Sequence, residues 1–323
     1  MELKEFTNKV QKALSEFYGN EAEVKEHQIY KNNDILLYGI CVLEKDRNIA
    51  PTIYLNHFHD RYENGVPFGE IIKEIIQIID DNRVERNLNI DFFMDYEKVK
   101  KRLVLRLIHR ENNKELLKDV PYQSYLDLAV VCHCVLESEE IGSGAILIHK
   151  NHMHSWNIDE ETLFQDAYQN SPCLEPYQIL PMSEMVKDIL ENTIAAQVEQ
   201  LDMEEEEKIQ LVQETVEKMA QEMEERNIPM YVLSNAKKYY GAACILYPGV
   251  LEKIEQLLQS DYYILPSSVH EIIFLGKQEG MNEDTLNEMI EEINLTQVAK
   301  EEWLSNHAYL YRKNEKMLEA VAN

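Results

Sequence analysis

Residues 241–275 read GAACILYPGVLEKIEQLLQSDYYILPSSVHEIIFL, and the pattern of this stretch decides the fold. It spells a strand, a Pro-Gly turn, a short helix, a strand, a polar bend and a second strand. Leu251, Ile254, Leu257 and Leu258 share one helical face and Glu252, Lys253 and Glu255 the other, so the helix is expected to lie across a sheet. The flanking runs DYYILP and SVHEIIFL are short and rich in the aromatic and β-branched residues that suit a half-buried pleated surface. Upstream, PMYVLS adds a strand. Downstream, NEDTLNEMIEEIN predicts a capped helix and NHAYLYR a last strand.

Working outward, GAILIHK, a helix and YQILP echo the same strand, helix, strand order. Helices and sheets interleave without a regular parallel repeat, so the expected class is α+β (mixed α/β). With 323 residues, 45% of them apolar, there is room for two or three lobes of about 100–150 residues each. We divide the chain into an N-terminal lobe over 1–90, a middle mixed-sheet lobe over 91–181, an acidic helical segment over 182–227 and a C-terminal lobe over 228–323.

In the first lobe, Leu3, Phe6, Val10, Ala13, Leu14 and Phe17 trace one helical face. A hairpin follows, EVKEHQIY and ILLYGICVL joined by KNND, whose Asn and Asp tolerate the left-handed backbone of a tight turn. Residues 35–43 are apolar on both faces, which predicts a central strand. Pro51 opens the strand TIYL, and Pro67 starts a helix with isoleucines at helical spacing, running towards Asn87. In the middle lobe, LVLRLIHR is a strand, LDLAVVCHCVL and GAILIH form a hairpin, and Asp159 caps the helix after it.

From Ser183 to Arg226 no Gly or Pro interrupts a charged helical stretch. Ile209, Val212, Val216, Met219 and Met223 alternate three and four residues apart as a heptad seam, and one bent helix or two helices both fit the pattern. The run Glu204 to Glu207 reads as a solvated face.

Asp and Glu outnumber Lys and Arg by 59 to 32, a net charge of −27. A surface so acidic repels phosphate backbones and anionic leaflets, which argues against generic nucleic-acid or membrane binding and leaves a basic protein partner or a cation. No apolar signal core opens the chain, and no apolar run approaches the ~18 residues of a membrane span, so a cytoplasmic protein is expected. Five cysteines fit reduced thiols. Cys132 and Cys134 lack the CxxC spacing of a metal or redox site and read as core.

Two constellations invite chemistry. Ser267, Ser268, His270 and Glu271 place serines, a histidine and an acid within five positions. If the segment is extended, Ser268 and His270 stand about 6.5–7 Å apart on one face with Glu271 on the other, which prevents a relay and suggests a pocket border or lobe junction. HEIIF lacks the second histidine of a zinc-protease helix. The second constellation is His57, His59 and Asp60 after one strand and His149, His152 and His154 after another. These are ligand types that zinc or a similar divalent transition metal takes, and convergence of the two strand ends would make a hydrolytic centre. No other cofactor is expected, because YPGV has one glycine and no following Lys-Ser or Lys-Thr, and GxGxxG does not occur.

PMYVLSN, YGAACILYPGVLEKI, DYYILPSSVHEII, EEINLTQV and EEWLSNHAYLYR resemble the bacterial family called domain of unknown function 5688, and distantly a second one, domain of unknown function 1444. RLIHRENNKELLKDVPYQSYLDLAVV and NHMHSWNIDEETLFQDAYQN extend the likeness over nearly the whole chain. The resemblance implies a cytosolic bacterial protein and carries no catalytic residue with it. The sequence thus favours a non-catalytic protein-binding or adaptor module. A metal-dependent hydrolase using the two histidine clusters is the alternative, and an acidic mimic of DNA a third reading.

Overall fold

The computed structural model describes residues 1–83, 91–138, 142–198, 203, 205–226, 230–266, 268–278 and 280–321. The chain is α+β, and among those residues no helix is long and apolar enough to cross a membrane. It divides into two compact units that exchange chain segments. One comprises 1–103, 112–121 and 133–163, the other 104–111, 122–132 and 164–323.

The first unit starts with α1 (Leu3–Tyr18), whose Phe6, Val10 and Leu14 are fully buried. Phe17, expected on the same face, is 62% exposed, while its neighbour Tyr18 packs against the core. β1 (Ala22–Lys31), β2 (Ile35–Glu44) and β3 (Thr52–Tyr54) form an antiparallel sheet with β2 in the centre, as its two apolar faces predict. The KNND turn is left-handed at Asn33 and Asp34. Its side chains hold a later segment: Asp34 accepts from the N–H groups of Glu115 and Leu116, and Asn33 N–H donates to Asn113. Residues after β3 form α2 (Asn56–Glu63), followed by α3 (Phe68–Asp81). Ile40, Val42, Ile53, Leu55, Phe58, Ile71 and Ile75 close this core. The expected extension of α3 towards Asn87 lies outside the described residues.

Two short helices follow, α4 (Tyr96–Val99) and, after β4 (Leu103–His109), α5 (Leu116–Asp119). β5 (Gln123–Tyr125), β6 (Leu128–Ser138) and β7 (Gly142–Leu147) share a sheet with β4, in which β6 and β7 make the expected antiparallel hairpin. Cys132 and Cys134 are buried, and all five cysteines are free thiols. α6 (Lys150–Trp156) and α7 (Glu160–Leu174) come next, the second capped by Asp159, whose side chain accepts the Thr162 N–H at 2.9 Å.

In the second unit β8 (Tyr177–Pro181) leads to α8 (Met182–Val198) and α9 (Glu205–Arg226), so the charged segment is two helices, and they pack on one another. Then come β9 (Met230–Asn235), α10 (Val250–Leu258), β10 (Tyr262–Leu265), β11 (Ile272–Gly276), α11 (Glu283–Gln297), β12 (Tyr309–Arg312) and β13 (Met317–Ala320). They form an antiparallel six-stranded sheet in the order β13-β12-β10-β11-β9-β8. β8, read from the sequence as closing the middle lobe, pairs with β9 at the edge of this sheet instead.

Alternation along β10 covers both faces of the sheet. Tyr263 and Leu265 pack with Leu286 and Ile290 of α11. On the other side Tyr262 stacks on Tyr311 at 4.7 Å and donates its hydroxyl to Leu251 of α10, which lies across the sheet as its pattern predicts.

One expectation for the opening stretch fails: residues 241–246 form a buried 3-10 turn and not a strand. Tyr240 enters it left-handed at φ 53°. The small side chains of Gly241, Ala242 and Ala243 then allow the backbone to coil tightly where bulky β-branched residues would have kept it extended. A Cβ on Gly241 would stand 2.5 Å from the Asn235 nitrogen and 2.7 Å from the His270 carbonyl oxygen. Only glycine fits.

Candidate functional site

The polar bend after β10 is the best-organised site in the second unit. Ser267 lies outside the described residues. Ser268 and His270 are not extended: the His270 N–H donates to Ser268 Oγ at 3.0 Å, a serine turn that ends one strand before β11 begins at Ile272. The expected separation of the two side chains along a strand therefore does not apply. Ser268 Oγ caps backbone, and its residue forms a bridge with Trp303. The bend is sewn in on both sides, by Ala242 N–H to the Val269 carbonyl and Val269 N–H to the Glu302 carbonyl.

His270 accepts the Tyr240 N–H on Nδ1 at 3.1 Å. The neutral ring must then carry its proton on Nε2, which faces Glu302 Oε1 at 3.2 Å. Tyr239 lies tilted against the imidazole at 5.2 Å and Tyr240 meets it edge-on at 5.5 Å. Tyr239 is 56% exposed. The Glu271 carboxyl is pushed above its ordinary range, first by burial, with the His270 ring opposing and Glu302 reinforcing the shift. It is thus a carboxylate whose charge is under-compensated in the folded chain.

Beneath Tyr240 lies a buried ion pair. Arg106 of β4 grips both oxygens of Glu175 through its two terminal nitrogens and donates also to the Leu105 carbonyl. Its guanidinium carbon is 5.3 Å from the Tyr240 ring centre. Asn235 completes the platform. Its Nδ2 donates to the Tyr239 carbonyl at 2.8 Å and its Oδ1 accepts the N–H groups of Lys237 and Tyr239, which shapes the loop that presents the tyrosines.

A second cluster in the same unit centres on Asp127. It accepts the Tyr309 hydroxyl at 2.5 Å and faces His307 Nε2 at 3.1 Å, while His307 Nδ1 faces the Ala308 carbonyl at 3.2 Å. Both ring nitrogens meet acceptors, so the imidazolium fits best. The Asp127 hydrogen bond holds the His307 pKa above its ordinary value. Burial pushes the Asp127 carboxyl up, but the bonds from His307 and Tyr309 outweigh it and hold the pKa low.

The sign of the resulting pH dependence follows from these directions. The contribution of His307 is complete below its unfolded pKa, near 6.5, and is lost as pH rises through the raised folded value. That of Asp127 is complete above about 3.9 and lost as pH falls through the lowered one. We expect the stability difference between the protein and its His307→Gln variant to be largest at about pH 4–6.5 and to shrink above that, as read by urea unfolding at a series of pH values. A difference that is flat across this range would refute the charged pair.

The six candidate metal ligands lie in the first unit and stand differently. His57, His59 and Asp60 are on α2, not at a strand end, so His57 and His59 point to nearly opposite sides. The helix starts there because Asn56 takes the place of a strand residue: its side chain accepts the Tyr38 N–H and donates to the Leu36 carbonyl of β2. His57 is exposed, and His59 Nε2 bonds the Met1 carbonyl at 2.7 Å. His149 caps α6, His152 lies in its first turn and His154 in its last. His152 Nδ1 accepts the His149 N–H, and its ring packs on Phe93 at 5.0 Å. Burial lowers the pKa of both His149 and His152. His154 is exposed. Among the described residues no three His, Cys, Asp or Glu side chains gather to hold a metal.

Comparison with known proteins adds one finding. A family model described as a family of unknown function (DUF5688) matches residues 3–313. The chain belongs to this family. The distant likeness to family 1444 is not shown. Neither the curated proteins nor the solved structures give a match to this DUF5688 chain.

Arg106, Glu175, Asp127 and His307 did not stand out in the sequence. The one available signal was an arginine inside the apolar run LVLRLI, since a charge in a buried strand must find a partner. The identity of that partner, 69 positions on, is set by the fold.

Proposed function

We propose that this chain is a protein-binding module that takes a basic protein partner on the exposed face of α9. The observation that carries this reading is the exposure of Ile209 (57%) and Met219 (43%) on that helix. Val216 is buried and Leu211 and Val212 are half-buried, whereas Ile209 and Met219 of the expected heptad seam stand open to water; its last member, Met223, lies outside the described side chains. Around Ile209 and Met219 the exposed positions carry Glu206, Glu207, Glu214 and Glu217, with Lys218 the basic exception among the described residues. Apolar side chains with mainly acidic neighbours have the make-up of an interface with a charged rim. An acidic rim selects a partner whose own rim is basic and speeds its encounter.

The test is affinity capture from a lysate of the source cells with the protein and with an Ile209→Glu, Met219→Glu double variant. Both substitutions fall on exposed positions, so circular dichroism should not change. A basic protein retained by the parent, released when salt is raised from about 0.1 to 0.5 M and not captured by the variant is the expected result. Equal capture by both, or none by the parent, overturns the proposal.

A further inference from the structure

We propose that the face formed by Tyr239, Tyr240 and His270, bordered by the carboxylates of Glu271 and Glu302, is a subsite for the guanidinium of an arginine side chain. As to its biological occupant, the inference rests on the basic protein partner proposed above.

Three features of the geometry meet here. The first is a preorganised aromatic surface. Tyr239 packs edge to face with Tyr240 at 4.8 Å and leans on His270, yet more than half of it is open to water. An exposed tyrosine held in place by two rings, and by an asparagine bonded to its own N–H and carbonyl, has already lost the freedom that binding would cost it. Its free face suits a planar cation, because the ring quadrupole attracts positive charge and a guanidinium stacks flat.

The second feature is the charge around that face. Glu271, Glu301 and Glu302 all act on His270, Tyr240 or one another. Among the described residues, the lysine and arginine that act on Glu271 and Tyr240 are Lys238 and Arg106, the latter committed to Glu175 under Tyr240. The balance is negative, and a further cation is attracted. The third feature is Glu271, half-buried, whose carboxyl burial pushes above its ordinary range. A guanidinium beside it restores the charged form. Buried Arg106 beside Tyr240 shows that the same ring type takes a guanidinium in this fold.

The test is a titration of the full chain with N-acetyl-arginine amide, followed by NMR, with N-acetyl-citrulline amide as the neutral probe of the same shape. Saturable binding of the arginine probe is expected, with the citrulline probe at least tenfold weaker. Tyr239→Leu, which keeps an apolar group but removes the ring face, should weaken the arginine probe about fivefold. Glu302→Gln, a second variant on a half-exposed position, should weaken it by a similar factor. No saturation, equal binding of citrulline, or an unaltered affinity in a folded Tyr239→Leu protein would overturn the inference. The outcome is separable from that of the capture experiment. Failure of the arginine probe with capture intact removes this subsite alone, whereas binding of the probe without any captured partner removes the proposed occupant and leaves the subsite standing.

Discussion

Glu175→Ala is expected to destabilise the second unit by about 3–5 kcal/mol, because it leaves the Arg106 guanidinium charged, buried and unpaired. Both side chains are almost inaccessible, at 3% and 4% of their surface, so water cannot replace the missing carboxylate. The rest of the surroundings cannot compensate either. Leu105 offers Arg106 one carbonyl, and Tyr240 offers a ring face. Denaturant unfolding of the variant checks the figure. A companion pair of substitutions, Arg106→Met with Glu175→Leu, distinguishes charge from packing. Replacing both partners with apolar groups of similar volume should recover most of the loss, since a buried ion pair contributes little net stability beyond satisfying itself. A cost below about 1 kcal/mol for Glu175→Ala would show that the pair is not desolvated as described.

Gly241→Ala is the second large effect, at about 3 kcal/mol, the upper range for forcing a methyl group into a packed site. The added Cβ would meet Ser234 Oγ at 2.2 Å, the Asn235 nitrogen at 2.5 Å and the His270 carbonyl oxygen at 2.7 Å. The last two are backbone atoms, so no side-chain rotation relieves the clash. The Ser234 hydroxyl in turn donates to that same His270 carbonyl. Moving the 3-10 turn outward would therefore pull on the bend that presents His270 and on the loop that presents Tyr239. Loss of arginine-probe binding should accompany the loss of stability. Gly69→Ala serves as the control: it sits in α3 with nothing within 4 Å of its Cβ position. It should stabilise by about 0.5 kcal/mol through the unfolded state. Equal effects of the two substitutions on the unfolding midpoint would contradict the close approach at Gly241.

Much of the architecture was legible because it is local. The KNND hairpin, the apolar β2, the helix after Pro67, the β6–β7 hairpin and the cap at Asp159 each rest on turn chemistry or periodicity within a dozen residues. Where local pattern misled, a tertiary contact had displaced it. GAACIL has the apolar content of a strand, but its small residues let Gly241 slot between two other backbones. NHFHD follows a strand, yet Asn56 takes over the pairing of β2 and frees the next residues to coil. Of the heptad pattern from Ile209 to Met223, Val216 is buried while Ile209 and Met219 are exposed, and Met223 lies outside the described side chains.

By itself, the sequence determined the α+β class, the net negative charge and the burial of Cys132 and Cys134, since composition and periodicity act over short range or over the whole chain. The polar bend in 241–275 was visible as a candidate junction. What the bend joins was decided only by the tertiary structure, which brings Tyr239, His270 and Glu302 together and sets Arg106 and Glu175 beneath them. These residues lie tens of positions apart, and a cost of burying charge can be read from sequence, whereas the partner that relieves it is chosen by chain topology.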